Sequence, residues 1–384
     1  MRKIIFLNQE TGPLLIDIIN VFSNNGYNVI LYTGEVITTY STLHKGVKVR
    51  RLTRYNKSNN FYRICTWSIF FLQSMFYLFC DLKKNTKIYF SSNPPFIHFL
   101  GILFNNKIYI HIYDVYPNAL LALPYVNQRS FIYKSFSYVN KLIFNKAISI
   151  IAPSIGMGDM LNEYVDKNKI KVVSWWADTD FIVPIKKEKN KFISQNNLEN
   201  KFIVMYSGNF GLTHNIEKVL DAALLLKNYN NIVFVIIGNG PKKKLIDSFQ
   251  EKNRLNNLLI LPFQSIEMLP HSLTSSDISI VLDSFSFNND LSTASIPSKM
   301  FYLMSAGSVI YAEADEKSEL NRLIKMYNLG LCDSSKETNN LIKFIKFCVN
   351  NKHNVIKFKN NSRNASFNFT KNNAEIIYNK ININ

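Results

Sequence analysis

The chain has 384 residues, 47% hydrophobic and 19% charged, which is enough apolar material for two or three ordinary domains. That balance excludes a disordered chain, a collagen-like fibre and a disulfide-built miniprotein. Lys and Arg number 45 against 27 Asp and Glu, a formal +18. This points to anionic partners (nucleic acid, an anionic membrane or phosphorylated small molecules) or to AT-rich codons, since Lys, Asn, Ile, Phe and Tyr crowd the chain.

In chain order, KIIFL (3–7) reads as a first strand rather than an export signal, because the apolar run stops after Leu7. Gly12-Pro13 punctuates the turn, and LLIDIINVFSNNG (14–26) places Leu15, Ile18, Ile19 and Phe22 on one helical face. NVILYTG (28–34) is the second strand. Ten bases follow: Lys45, Lys48, Arg50, Arg51, Arg54, Lys57, Arg63, Lys83, Lys84 and Lys87, with Asp81 the lone acid between them. They flank the apolar stretch Ile64–Cys80. Its 17 residues include Thr66, Ser68, Gln73 and Ser74, and a spanning helix needs about 20 apolar residues. A buried or interfacial helix is expected, and the flanking bases suit docking on anionic lipid.

Further strands are expected at KIYFSS (87–92), KIYIHIYD (107–114) and ISIIAPS (148–154). Their apolar runs lack clean alternation, as in parallel sheets covered on both faces. The polar stretch 183–200 is the expected linker. Beyond it the rhythm restarts with KFIVMYSGN (201–209), NIVFVIIGNG (231–240), NLLILPF (257–263), DISIVLD (277–283) and SVIYAEA (308–314). Spacings of about 20–30 residues are those of βα units. Two doubly wound α/β domains in tandem follow, with ligand at the carboxyl ends of the strands.

Several segments can carry chemistry. YSGNFGLTHNIEKVLDAALLL (206–226) joins a strand to a helix through Gly208 and Gly211, with Asn215 as the expected N-cap. It is either a phosphate seat or an ordinary βα turn. IIGNGPKKKL (236–245) repeats the plan with Gly238, Gly240 and a first-turn Pro241. Its three lysines oppose the helix dipole and either meet a nearby anion or form a solvated face. In PSK (297–299), Ser298 and Lys299 either grip a diphosphate or form a plain cap with an exposed lysine. Asp114, at a strand's carboxyl end, is either functional or a helix cap. Four cysteines without CxxC spacing fit a reducing compartment, and six scattered histidines offer no ligand spacing for a metal.

Together these segments resemble a GT-B glycosyltransferase of the family-4 retaining type. Within that family the likeness is to the branch transferring fucose-type or N-acetylated deoxy-sugars in bacterial surface polysaccharide assembly, of the colanic acid, O-antigen or capsule kind. SSNPPF (91–96) resembles the family's SSPP, DVYP (114–117) its DLWP, and SWWADTDFIVP (174–184) its P-N-x-x-D-x-x-x-F-x-P passage; the glycine loop, IIGNGP and PSK follow in order.

The resemblance implies an α/β GT-B fold with two Rossmann-like doubly wound domains facing across a cleft. These would be an acceptor-binding domain (1–182), a linker (183–200), a nucleotide-sugar-binding domain (201–368) and a helix (369–384) crossing back. It implies Asp114 and Lys299 as catalytic residues. The implied donor-binding set is Gly12, Gly208, Asn209, Thr213, His214, Gly238, Gly240, Ser298, Lys299 and Tyr302. No metal or cofactor is expected, since basic groups and helix ends can stabilise a leaving diphosphate.

Expected partners are a GDP- or UDP-linked sugar, a polyprenyl-diphosphate-linked oligosaccharide and the anionic inner face of the plasma membrane, with the protein cytoplasmic and peripheral. Nucleic acid is not expected, for no recognition motif accompanies the charge. The chain also departs from the wider family. Its paired glutamates fall here at Ala294 and Tyr302, its glycine-loop Arg and Lys at Asn209 and His214, and its strand-end His at Tyr113. A non-catalytic GT-B subunit and a nucleotide-sugar epimerase of the same fold stand as alternatives.

Overall fold

The computed structural model describes residues 2–122, 126–283 and 290–382. The chain divides into two units, Met1–Trp175 with Lys371–Asn384, and Trp176–Thr370.

The first unit runs β1 (Lys3–Leu7), β2 (Glu10–Thr11), α1 (Pro13–Asn24), β3 (Asn28–Thr33), β4 (Glu35–Val36), β5 (Lys48–Arg51) and α2 (Asn60–Asp81). It continues with β6 (Lys87–Ser91), a 3-10 turn (Ile97–Leu103), β7 (Ile108–His111), α3 (Phe131–Lys146), β8 (Ser149–Ala152), α4 (Ile155–Leu161) and β9 (Ile170–Val172). Seven strands form a parallel sheet in the order β5-β3-β1-β6-β7-β8-β9. In its centre Ile5 pairs with Ile30 on one side and Ile88 on the other. Ile4 to Leu7 are fully buried, so both faces are covered and the strand needs no polar alternation.

The strand order reverses beside β1. The connection through α1 runs one way across the sheet; those through α2, the 3-10 turn and α3 run the other. Right-handed crossovers therefore place α1 on one face and the other three on the opposite face. β5 was not legible as a strand because KVRR is basic. It sits at the sheet edge, where Lys and Arg discourage further pairing. Arg50 on it pairs with Asp81 at 2.8 Å and stacks 4.1 Å from the Tyr77 ring centroid. This base of the run expected to dock on lipid thus serves the fold.

The second unit begins with α5 (Lys191–Gln195), β10 (Phe202–Ser207), α6 (Ile216–Leu225), β11 (Ile232–Ile237), α7 (Lys243–Asn253), β12 (Leu258–Leu261), α8 (Leu269–Ser275) and β13 (Ile278–Leu282). Then come α9 (Asp290–Ala294), α10 (Lys299–Ser305), β14 (Val309–Glu313), α11 (Glu319–Tyr327), β15 (Gly330–Asp333), α12 (Thr338–Asn350) and α13 (Lys352–Ser366). Its parallel sheet has the order β12-β11-β10-β13-β14-β15, the doubly wound arrangement with its reversal between β10 and β13. On β10, Val204 and Tyr206 pack with Ile216, Val219 and Leu220 of α6, while Ile203 and Met205 pack on the other face with Phe192, Ile193 and Leu198. The stretch 183–200, expected as a linker, is therefore partly core. Asn190 organises it, accepting from the Phe192 and Ile193 amides and donating to the His271 carbonyl.

The last helix, α14 (Asn372–Asn382), belongs to the first unit. It packs on α1, with Tyr378 edge-on to Phe22 at 4.9 Å. Asn382 accepts from the Tyr27 hydroxyl and from Lys87, so Lys87, like Arg50, is engaged within the fold.

Candidate active site

Of the candidate residues, Gly12 and Asp114 lie in the first unit and the others in the second. Gly12 caps α1 ahead of Pro13, and a Cβ there would meet nothing within 4 Å. Asp114 follows β7 by three residues, because the strand expected over 107–114 ends at His111. The residue is exposed at the surface, and desolvation pushes its carboxyl above the ordinary range. His111 is buried against the Tyr89 hydroxyl (2.9 Å), and burial lowers its pKa to about 3, which leaves it neutral.

In the second unit the two glycine loops form one body at the carboxyl end of the sheet. The Gly208 amide donates to the Ile237 carbonyl and the Phe210 amide to the Asn239 carbonyl, both at 2.9 Å. A Cβ on Gly238 would lie 1.9 Å from the Gly208 oxygen; one on Gly240 would lie 2.6 Å from Asn209 Oδ1. Both glycines have φ near +150°, a region side chains rarely adopt. Of the loop amides expected to face a diphosphate, those of 208 and 210 are therefore taken, leaving Asn209 and Gly211 as candidates.

Tyr206, at the end of β10, ties the loop together. Its hydroxyl donates to the Asn209 carbonyl (2.7 Å) and lies 3.0 Å from His214 Nδ1, itself 3.0 Å from that carbonyl. With the hydroxyl proton on the carbonyl, we assign the ring proton to Nδ1 and leave Nε2 as acceptor. Burial, Lys299 and Lys242 all lower the His214 pKa. His214 is thus a neutral hydrogen-bonding ring rather than a second cation for the diphosphate.

Lys299 opens α10, and its Nζ lies 4.5 Å from the Tyr206 ring centroid and 3.6 Å from where a Gly208 Cβ would be. Burial lowers its pKa to about 8, against the opposing charge of Asp283. Ser298, just before it, is exposed and makes no side-chain cap bond; Tyr302 is half-buried three residues on, on the same side of the helix as Lys299. Thr213 is exposed in the loop, and Ala294 is buried.

Two expectations are corrected here. Asn215 stands at the N-cap of α6 without a side-chain cap bond; its amide donates to Glu313 Oε2 (3.2 Å) instead. Two of the three lysines after Gly240 are paired within the unit: Lys242 is clasped by both oxygens of Glu217 at 2.8 Å, and Lys243 pairs with Asp247. Helix α7 starts at Lys243, so Pro241 lies in the turn before it.

Sequence reasoning missed a buried cluster beneath the loop. Lys218 on α6 reaches Glu313 (3.0 Å) and Asp333 (2.7 Å), and the Tyr311 hydroxyl donates to Asp333 (2.6 Å). One ammonium serves two carboxylates. Burial raises the Glu313 pKa, while hydrogen bonds from Lys218 and Tyr311 overcome desolvation to lower that of Asp333. The available signal was Lys218 standing beside the apolar stripe of α6 and Glu313 closing an apolar strand. Among the described residues, no three His, Cys, Asp or Glu side chains converge as a metal site.

Comparison with solved structures places this geometry. Over 99% of its length the chain is similar to the sucrose-phosphate synthase of Thermosynechococcus elongatus (98% of that chain, TM-score 0.75, 13% identity). It is similar over the same share to Anabaena HepE in complex with UDP (99% of that chain, TM-score 0.74, 14% identity). The fold is GT-B.

Residues 187–285 of this GT-B chain match the family of group 1 glycosyl transferases. WcaI of Escherichia coli (strain K12), assigned as a glycosyl transferase of colanic acid biosynthesis, is 27% identical over 149 residues. That alignment covers 38% of this chain and 35% of WcaI. WbjE of Pseudomonas aeruginosa, assigned as a glycosyltransferase, is 24% identical over 226 residues, covering 57% of this chain and 54% of WbjE. The matched stretch thus spans between a third and a little over half of these relatives.

Proposed function

We propose that this chain is a retaining glycosyltransferase of bacterial surface polysaccharide assembly, using a nucleoside-diphosphate sugar. The observation that carries the reading is the Lys299 ammonium, held against Tyr206 beside the paired glycine loops at the sheet's reversal point. A cation there neutralises charge as the diphosphate leaves. The second unit would hold the donor, with Tyr302 on the side of α10 shared with Lys299 and Ser298 at the helix's start. In the reaction, the bond from the sugar's anomeric carbon to the diphosphate oxygen breaks, and the acceptor oxygen bonds to that carbon on the same face. The acceptor's proton passes to the departing diphosphate. The acceptor would be a lipid-linked oligosaccharide taken by the first unit, where Asp114 is the candidate for engaging its hydroxyl. Docking of the basic segment 45–87 on anionic lipid would bring enzyme and acceptor together.

Ala294 and Tyr302, standing where the wider family has glutamates, favour a second reading, a non-catalytic GT-B subunit. Sugar transfer by purified protein to a polyprenyl-diphosphate-linked acceptor separates the two. Lys299→Ala is expected to slow it by about 10²-fold, whereas no transfer or donor hydrolysis with any nucleotide-sugar would support the subunit reading.

A further inference from the structure

The first unit leaves an apolar layer uncovered. On α2 the buried residues Phe70, Ser74 and Leu78 face the sheet, while Phe61, Ile69, Leu72, Phe76 and Phe79 recur on the other side. Phe61 is 70% exposed and Phe76 62%. With 22 residues, α2 measures about 33 Å, long enough to cross a bilayer. Its inner side, however, is tied down. Gln9 donates to the Thr66 carbonyl, Thr53 donates to Gln73 Oε1 through both its amide and its hydroxyl, and Tyr32 donates to Asp81. These bonds hold α2 flat on the sheet, so its outer stripe can meet a bilayer only side-on.

α2 does not stand alone on that face. The 3-10 turn packs against both α2 and α3; Phe79 meets Phe104 at 4.9 Å and Phe99 meets Phe136 at 4.7 Å. The outer side of α3 exposes Phe131 (84%), Ile132, Tyr138 and Leu142, interleaved with exposed Lys134 and Lys141. α3 contains no acidic residue. Apolar rings that enter the acyl boundary, beside lysines whose heads reach back to phosphates, suit the headgroup region.

We infer that α2, Ile97–Leu103 and α3 form one docking layer that seats side-on in an anionic bilayer, with α3 contributing as α2 does. The inference rests on the lipid-docking reading above and extends it to a second helix far outside residues 45–87. A second copy of the chain fits this layer poorly, because self-pairing would set Lys134 and Lys141 against like charges.

Flotation of the full-length protein with phosphatidylcholine vesicles, with and without phosphatidylglycerol, tests it. The wild type is expected to float only when phosphatidylglycerol is present. Leu72→Asp with Phe76→Asp, and separately Phe131→Asp with Tyr138→Asp, should each weaken binding at least about 10-fold. Unchanged melting and unchanged nucleotide-sugar binding would show that both variants fold. Wild-type flotation undiminished in the α3 variant would overturn the shared layer while leaving docking through α2. No flotation of the wild type would overturn lipid docking itself, leaving sugar transfer to be judged by its own assay. Retention in membranes through alkaline carbonate washing would contradict side-on seating. A dimer abolished by the α3 variant, with flotation intact, would assign the layer to a second copy.

Discussion

The Lys299 ammonium stands 4.5 Å from the centre of the Tyr206 ring, a cation on an aromatic face at the carboxyl end of the second sheet. An aromatic face attracts a cation while offering it no proton acceptor, so the charge stays available to an incoming diphosphate. The pKa lowered to about 8 records the same poverty of solvent.

A pH dependence follows. On the proposed role the protonated form would hold the donor, and the lowered pKa makes that charge disappear well before an ordinary lysine would lose it. Donor affinity should be level below pH 7 and fall as pH rises through about 8. Lys299→Arg, which keeps its charge, should extend the plateau past pH 9 wherever it still binds. Calorimetric titration from pH 6 to 10 measures this; an identical decline in Lys299→Ala would place the titrating group elsewhere.

Tyr206→Phe separates two roles of one residue. The ring under Lys299 remains, but the Asn209 carbonyl and His214 lose the hydroxyl. A loss of about 1 kcal/mol of stability and roughly 10-fold in donor affinity is expected, with the pH profile unchanged. Thermal melting and titration together check it, and a shifted profile would mean that the hydroxyl, not the ring, sets the Lys299 proton.

Gly238 and Gly12 make a contrast. Gly238→Ala would drive a methyl against the Gly208 carbonyl, 1.9 Å away, and should part the loops, lower the melting temperature and abolish measurable donor binding. Gly12→Ala meets open space at φ −96°, so the fold should tolerate it. A change in the donor KM at constant melting temperature would then report a ligand at α1. No change in KM would remove Gly12 from the donor site.

The buried cluster predicts an asymmetry. Lys218→Met strands Glu313 and Asp333 without their cation, a loss of about 3–5 kcal/mol and on the order of 10 °C in melting temperature. Glu313→Gln should cost less, since burial disfavours the Glu313 charge, Asp333 keeps Lys218 as its partner and the amide can still accept from Asn215. Equal losses in both variants would show that the Lys218–Glu313 pair matters to the fold as much as the ammonium itself.

The inner strands of both sheets were legible because they are covered on two faces and therefore read as unbroken apolar runs, as at Ile203–Tyr206, whereas the short edge strands β9 and β15 were not. What escaped was polar sequence with a few decisive apolar anchors. The stretch 183–200 looked like a linker, yet Phe192, Ile193 and Leu198 enter the core. β5 was hidden by its arginines. α2 begins at Asn60 rather than Ile64, since the polar Asn59 caps it by accepting from the Tyr62 amide. At the site, glycine spacing and PSK located the loops and Lys299. Sequence does not show which hydrogen bonds are already made: Lys242 is held by Glu217, two loop amides by neighbouring carbonyls, and Lys218 by carboxylates about 100 residues away in sequence. Such pairings join residues distant in the chain and leave no local pattern.

The most direct measurement is the thermal stability of wild type and Lys299→Ala across GDP-, UDP- and dTDP-sugars, since specific binding raises melting temperature. One nucleotide class should stabilise the wild type, and the same ligands should bind Lys299→Ala about 10- to 100-fold more weakly, the worth of one charged contact. Equal stabilisation of both proteins, or none at millimolar concentrations of any nucleotide-sugar, would contradict a donor held by Lys299.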